Sequence, residues 1–235
     1  MSDSTLSTER QLREMAAVEA FVRSSPWATR LHPETLGTLL ASISTRTLAP
    51  GDVLCVQGDV PQCWFGIMDG LLRQDVFTRE GERISLAAGR IGTWLGEAAL
   101  VLGEPRSYEI SALRESKVAC IGASAFFRAL QGDPEFNRAV LRLISQRMQY
   151  FMELYLIQRG ASPDERVARV LRSLVGETAH GPHLHLAITQ DELAQVAGIS
   201  RQRAHKALHD MQERGIVDIS YGAITLVQPE RLKFS

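Results

Sequence analysis

The chain has 235 residues, 45% of them hydrophobic, and a formal net charge of −1. That length fits one large domain or two small ones with real cores. The near-neutral balance means that any binding to nucleic acid must come from a local patch, and no uncharged apolar run approaches the roughly 18 residues of a membrane span.

Three cysteines, Cys55, Cys63 and Cys120, form neither a CxxC pair nor a cluster of four. They spell out no iron–sulfur or zinc set and read as reduced thiols. The polar start, MSDSTLSTERQLRE, contains no apolar signal segment, so the chain reads as cytoplasmic with no membrane partner.

Helices are expected near residues 10 to 23 and 34 to 42, punctuated by Pro26, Pro33 and Pro50. From about Thr45 to Ile121 the texture changes to short runs rich in Val, Ile, Leu, Phe and Trp. Turn signals such as Pro50-Gly51-Asp52, Asp69-Gly70 and Glu80-Gly81-Glu82 separate them. Strands at this spacing predict an antiparallel roll, with Trp64 and Trp94 in its core.

Inside that roll, Leu95 to Ser107 reads LGEAALVLGEPRS. Gly96 and Glu97 open a short helix-forming run, Ala98 to Leu102, whose first backbone N–H groups would be free to bind an anion. Arg106 is a planar fork able to grip a phosphate bidentately, and Ser107 adds a hydroxyl. Ionised Glu97 would repel a phosphate, so its expected partner is a neighbouring hydroxyl such as a ribose 2′-OH. Phosphate and ribose together suggest a nucleotide.

After Gly122 comes a short helix, SAFFRAL, and then a run from Glu135 to Arg159 without Gly or Pro, about 40 Å long if helical. Leu141, Ile144, Met148, Phe151 and Tyr155 follow alternating steps of four and three, a coiled-coil seam. Phe136, Val140, Leu143, Tyr150 and Leu154 lie on a neighbouring face. A helix with two apolar faces needs two partners, here the roll and the same helix of a second subunit.

The Arg159-Gly160-Ala161-Ser162-Pro163 linker marks a domain boundary. Helix 164 to 178 carries Val167, Val170, Leu171, Leu174 and Val175 on one face and Arg166, Arg169 and Arg172 on others. His180, His183 and His185 read as a solvated loop and strand rather than a metal site.

Thr189 to Arg214 has the pattern of a helix-turn-helix. Thr189 and Glu192 form a capping box, Gly198 supplies the turn, and Ser200 is the second N-cap. Ala204, Ala207, Leu208 and Met211 form the buried side. Arg201, Gln202, Arg203, His205 and Lys206 face outward with no acidic residue between Leu193 and His209, giving the local basic patch. Side chains at the start of such a helix reach base edges while neighbours hold phosphates. Residues 215 to 227 read as a hairpin wing.

The stretch from Leu95 to Ser107 resembles the phosphate-binding cassette of cyclic-nucleotide-binding domains, found in the bacterial cyclic-AMP receptor protein (CRP/FNR) family and in kinase regulatory subunits. The match rests on Gly-Glu, Ala-Leu three residues on, and Pro-Arg before a small residue, with the kinase-type loop length. Thr189 to Arg214 resembles the DNA-binding half of the CRP/FNR family, so the resemblance spans nearly the whole chain.

This resemblance implies an α+β fold in which residues 1–133 form a cyclic-nucleotide-binding, jelly-roll-like effector domain. Residues 134–160 would be a long dimerisation helix and 161–235 a winged helix-turn-helix. It assigns Glu97 to the ribose 2′-OH, Arg106 and Ser107 to the cyclic phosphate, and Gly96 and Ala98 backbone groups to the remaining oxygens. The long-helix positions that carry a base-reading Thr-Ser pair in the type member fall on Phe151 and Met152, which cover a base without reading it.

The implied DNA-binding set is Thr189, Gln190, Ser200, Arg201, Gln202, Arg203, His205 and Lys206, with Thr189 and Ser200 at phosphate-contacting positions. Gln202 stands where the type member has Glu, and Lys206 where it has Arg.

The expected function is that of a non-enzymatic homodimeric transcription regulator, with double-stranded DNA of two-fold symmetry and RNA polymerase as partners and no metal. Cyclic AMP is the first effector, with cyclic GMP and cyclic di-GMP as alternatives. A regulator that is effector-independent, or that senses redox state or gas, is the rival within the same fold. The first 54 residues lack the cysteine cluster of the oxygen-sensing branch.

Overall fold

A computed structural model describes residues 2–158, 162–175 and 184–232, with side chains from residue 12 and, on the long helix, as far as residue 152. Two helices precede the roll: α1 (Ser2–Ser24), longer than the sequence pattern predicts, and α2 (Pro33–Ala41), which Pro33 opens at its first turn. Eight strands follow: β1 (Ile43–Leu48), β2 (Val53–Cys55), β3 (Cys63–Asp69), β4 (Leu71–Phe77), β5 (Arg83–Arg90), β6 (Trp94–Leu95), β7 (Glu109–Ala112) and β8 (Ser116–Gly122). They build two antiparallel sheets in the orders β1-β8-β3-β6 and β2-β7-β4-β5. Between β6 and β7 the chain forms the short helix α3 (Glu97–Leu102).

The two sheets enclose an apolar cluster of Leu48, Leu54, Phe65, Ile67, Leu72, Leu95, Ile110 and Val118. Trp64 and Trp94 are buried, but on the other side of the first sheet. They meet Trp27, Phe126 and Phe136 under α1, α4 (Ala123–Gly132) and α5 (Pro134–Gln158). The Trp64 and Trp94 rings lie 4.4 Å apart, and Gly66 makes room for them, since a Cβ there would stand 2.7 Å from the Trp94 ring. Strand alternation explains the placement: on β3, Trp64 and Phe65 must face opposite sides.

Asp133 joins α4 to α5. Its carboxylate accepts hydrogen bonds from the backbone N–H groups of Glu135 (2.9 Å) and Phe136 (3.4 Å) at the start of α5, and from His32 (3.0 Å) ahead of α2. At 25 residues, α5 is about 37 Å long. Phe136 and Val140 are buried on it, whereas Leu141, Met148 and Met152 are 58%, 60% and 57% exposed.

The C-terminal head comprises α6 (Pro163–Val175), β9 (Leu184–Leu186), α7 (Gln190–Ala197), α8 (Arg201–Glu213) and the hairpin β10 (Val217–Ser220) and β11 (Ala223–Leu226). Its core draws on Val167, Leu171, Leu193, Ala204, Leu208 and Ile224, and Leu71 of the roll packs against it. Three arginines of the roll add polar contacts. Arg73 donates to Gln195 on α7 (3.0 Å), Arg90 to the Val175 carbonyl at the end of α6 (2.7 Å), and Arg114 pairs with Glu192 (2.9 Å). Arg169 is buried rather than solvated, and among the described residues its Nε and Nη1 have no hydrogen-bond partner.

Burial pushes the Asp133 carboxyl up, but its backbone donors and the Thr35 hydroxyl outweigh that and hold it below the usual carboxylate range. Asp133→Ala should therefore cost about 1–2 kcal/mol in urea denaturation at neutral pH. Because the folded value is depressed, this contribution is complete above the unfolded carboxylate value of about 4 and is lost as pH falls through the folded one. A parent and variant whose stabilities stay equally far apart well below that window would contradict the assignment.

Candidate functional site

The cassette is held between β6 and β7. Gly96 precedes α3 in a left-handed conformation (φ 99°), and a Cβ there would stand 2.6 Å from Arg106 Nη1. Glycine thus lets the guanidinium lie directly against the backbone. Arg106 is 2% exposed: one arm donates to the Cys63 carbonyl (2.7 Å), its centre sits 4.8 Å from the centroid of the Phe65 ring, and Nη1 is buried with no partner among the described residues. Its own backbone is pinned to the opposite loop, where Arg106 N–H donates to the Asp59 carbonyl (2.8 Å) and Gly58 N–H to the Arg106 carbonyl (2.7 Å).

Glu97, at the start of α3, is 1% exposed. Its Oε1 accepts from Arg147 Nε of α5 (2.8 Å), and Arg147 also donates to the Trp94 carbonyl (2.7 Å). The second oxygen, Oε2, is buried without a partner among the described residues. A buried cationic N–H and a buried carboxylate oxygen, each left over after its neighbour has been satisfied, suit an anion and a hydroxyl that arrive together.

The other expected members are placed less tightly. Ala98 is half-buried and Ser107 exposed. Phe151 is half-buried beside Tyr150, with ring centroids 5.7 Å apart, and Met152 is exposed. The α5 residue brought to the cassette is instead Arg147, which sequence reasoning missed. Nothing local marks it, because its partner is 50 residues away.

Tyr108 is a second addition. Burial raises its phenol, and the Glu97 carboxylate pushes it further in the same direction. Burial also raises all three thiols, that of Cys120 to about 12, so they are held protonated and poorly nucleophilic.

The helix-turn-helix folds as its caps dictate. Thr189 and Glu192 make the reciprocal capping box, Gly198 ends α7 with φ 63°, and Ser200 accepts from Arg203 N–H to start α8. Ala204, Ala207, Leu208 and Met211 are buried. Thr189, Ser200, Arg201, Gln202, Arg203, His205 and Lys206 are exposed, and Gln190 is half-buried. Arg201 pairs with Asp191 of α7 (2.8 Å), an exposed contact that holds little energy.

His180 and His183 lie outside the described residues. His185 is exposed, with Nδ1 2.8 Å from the Thr225 hydroxyl. Among the described residues no group of three His, Cys, Asp or Glu is arranged to hold a metal, and no helix is long and apolar enough to cross a membrane.

Comparison with known proteins finds the cyclic nucleotide-binding domain family over residues 45–133 and the Crp-like helix-turn-helix domain family over 165–234. The cyclic AMP receptor protein of Thermus thermophilus is 24% identical over 204 residues, 86% of this chain and 93% of that one. A cAMP-dependent protein kinase regulatory subunit of Blastocladiella emersonii is 30% identical over 118 residues, covering 50% of this chain and 29% of that one. Among solved structures, FixK2 from Bradyrhizobium japonicum superposes with a TM-score of 0.67 at 17% identity, covering 81% of this chain and 95% of that one. The fold is shared with FixK2.

Gly96→Ala tests the cradle. The forced left-handed conformation and the displaced guanidinium should together lower stability by about 1–3 kcal/mol in urea denaturation. A variant as stable as the parent would show that Arg106 is not seated against this backbone.

Proposed function

This chain belongs to the CRP/FNR family of transcription regulators, and from that premise we propose that it is a cytoplasmic homodimer that binds cyclic AMP in each roll and answers by changing its grip on DNA. The observation that carries the reading is the pair of buried, unpartnered atoms flanking Gly96: Arg106 Nη1 for the cyclic phosphate and Glu97 Oε2 for the ribose 2′-OH. Gly96, Ala98 and Ser107 line the rest of the phosphate site, while Phe151 and Met152 cover the base from the long helix.

The functional units are residues 1–133 for effector binding, 134–160 for dimerisation and 161–235 for DNA binding. Leu141, Met148 and Met152 are exposed along one stripe of α5, at spacings of seven and four, which a second copy of the helix would bury. Pairing along α5 sets two copies of α8 side by side, so each reads one half-site of a two-fold DNA sequence about 34 Å from the other. Thr189, Gln190 and Ser200 hold phosphates, and Arg201, Gln202, Arg203, His205 and Lys206 reach base edges or neighbouring phosphates. RNA polymerase is the partner through which bound protein alters transcription, and the chain acts by binding rather than by catalysis.

Coupling between the sites runs through Arg147. Because it bonds both Glu97 and the Trp94 carbonyl, α5 cannot shift without moving the cassette. A ligand that adds bonds to Glu97 and Arg106 favours whichever position of α5 keeps both groups in reach, and α5 leads into the head. Only its differential affinity for the two arrangements can drive the change.

Calorimetry with cyclic AMP, cyclic GMP and cyclic di-GMP, followed by anisotropy on a labelled two-fold duplex, tests the reading. Cyclic AMP should bind tightest and raise DNA affinity, and Arg106→Leu should weaken nucleotide binding by at least about tenfold, the loss of one charge-assisted hydrogen bond. DNA affinity that does not move at saturating nucleotide would refute the switch.

A further inference from the structure

The inner wall of the roll carries a polar group that the cassette does not use. Along β4, Leu71 packs on the head, Arg73 bonds Gln195 and Asp75 bonds Arg73, so these three face outward. Leu72 lies in the cluster between the sheets, and alternation turns Gln74 the same way. Gln74 is 2% exposed, and its Oε1 is buried with no hydrogen-bond partner among the described residues. Its neighbours in register are Ile110 on β7 and Ala87 on β5, which have no polar side-chain atom to offer.

Burying an amide carbonyl without a donor is unfavourable, and an apolar residue at this position would fill the space without that cost. Gln57 and Gln62 of the same roll are exposed, as glutamine usually is. Ser85 also has a buried hydroxyl without a partner, but it pairs with Asp75 and faces the head. Gln74 is thus an unsatisfied group facing the cluster between the sheets, and that cluster includes Phe65, over whose ring the Arg106 guanidinium lies at 4.8 Å.

We propose that Gln74 reads the base of the bound nucleotide, its Oε1 accepting the N6–H of adenine and its Nε2 donating to the adjacent ring nitrogen. This rests on the cyclic-nucleotide reading above. With the phosphate at Arg106 and the sugar at Glu97, the base remains, and Phe151 and Met152 bring no comparable donor or acceptor to it. A glutamine amide is the side-chain fork that matches adenine's adjacent donor and acceptor.

The test is a cycle of two ligands and two proteins, read by calorimetry. The ligands are cyclic AMP and cyclic purine riboside monophosphate, which lacks only the amino group. The parent should bind the second about tenfold more weakly, and Gln74→Leu should bind both alike. Ligand-free Gln74→Leu should melt no lower than the parent, since an unsatisfied amide has been replaced by a side chain of similar volume. Gln74→Met, closer in shape, should behave the same way.

Equal discrimination in parent and variants would overturn the proposal, as would a parent indifferent to the amino group. A marked fall in melting temperature in both variants would assign the amide a structural role and overturn it too. These outcomes leave nucleotide binding itself intact, whereas a parent that binds no cyclic nucleotide removes the functional reading and this proposal with it.

Discussion

A carboxylate buried as deeply as Glu97 is costly to take out of water without a partner, and that partner is Arg147 on a different element. Much of the molecule follows from this one requirement. The start of α3 is tied to the middle of α5, and the Trp94 carbonyl is tied to the same guanidinium. The long helix is thereby fastened to the cassette along its middle rather than only joining one domain to the next. Arg106 is held by independent means, through the Cys63 carbonyl, the Phe65 ring and the loop at Gly58 and Asp59. The two charged groups of the cassette are therefore anchored to different parts of the structure, the helix and the roll, and a ligand that bonds both bridges them.

The two seams of the molecule are built differently. Between the first sheet and the helices lies a block of stacked aromatic rings from Trp27, Trp64, Trp94, Phe126 and Phe136, whose burial is worth most when it is undisturbed. Between the roll and the head lie Arg73, Asp75, Arg90, Arg114, Glu192 and Gln195, with Asp75 Oδ1 left unpartnered. Water can replace many of the contacts in a polar seam, which it cannot do among packed rings. The physical contrast places rigidity at the helix-covered side of the roll and adjustability at the head.

The site was legible in proportion to how local its chemistry is. Gly96, Glu97, Arg106 and Ser107 lie within twelve residues and can be read as an anion site from residue type and spacing. The same holds for the head, where Thr189, Glu192, Gly198 and Ser200 act on their own helix ends, and the structure places each as the caps require. Arg147, Gln74 and Tyr108 carry no such mark. Arg147 looks like one more charged residue on a long helix, and Gln74 like an ordinary polar residue in an alternating strand.

The sequence by itself determined the strands of the roll, the caps of the helix-turn-helix and the left-handed glycine at the start of α3, because strand alternation, capping and glycine conformations are decided by neighbours in the chain. Only the tertiary structure decided that the tryptophans line the outer side of the sheet, that Arg169 is buried, and that Glu97 meets Arg147 of α5. Each of these depends on which surface a side chain meets once distant elements pack, and partners 50 to 122 residues apart leave no periodic trace in the chain between them.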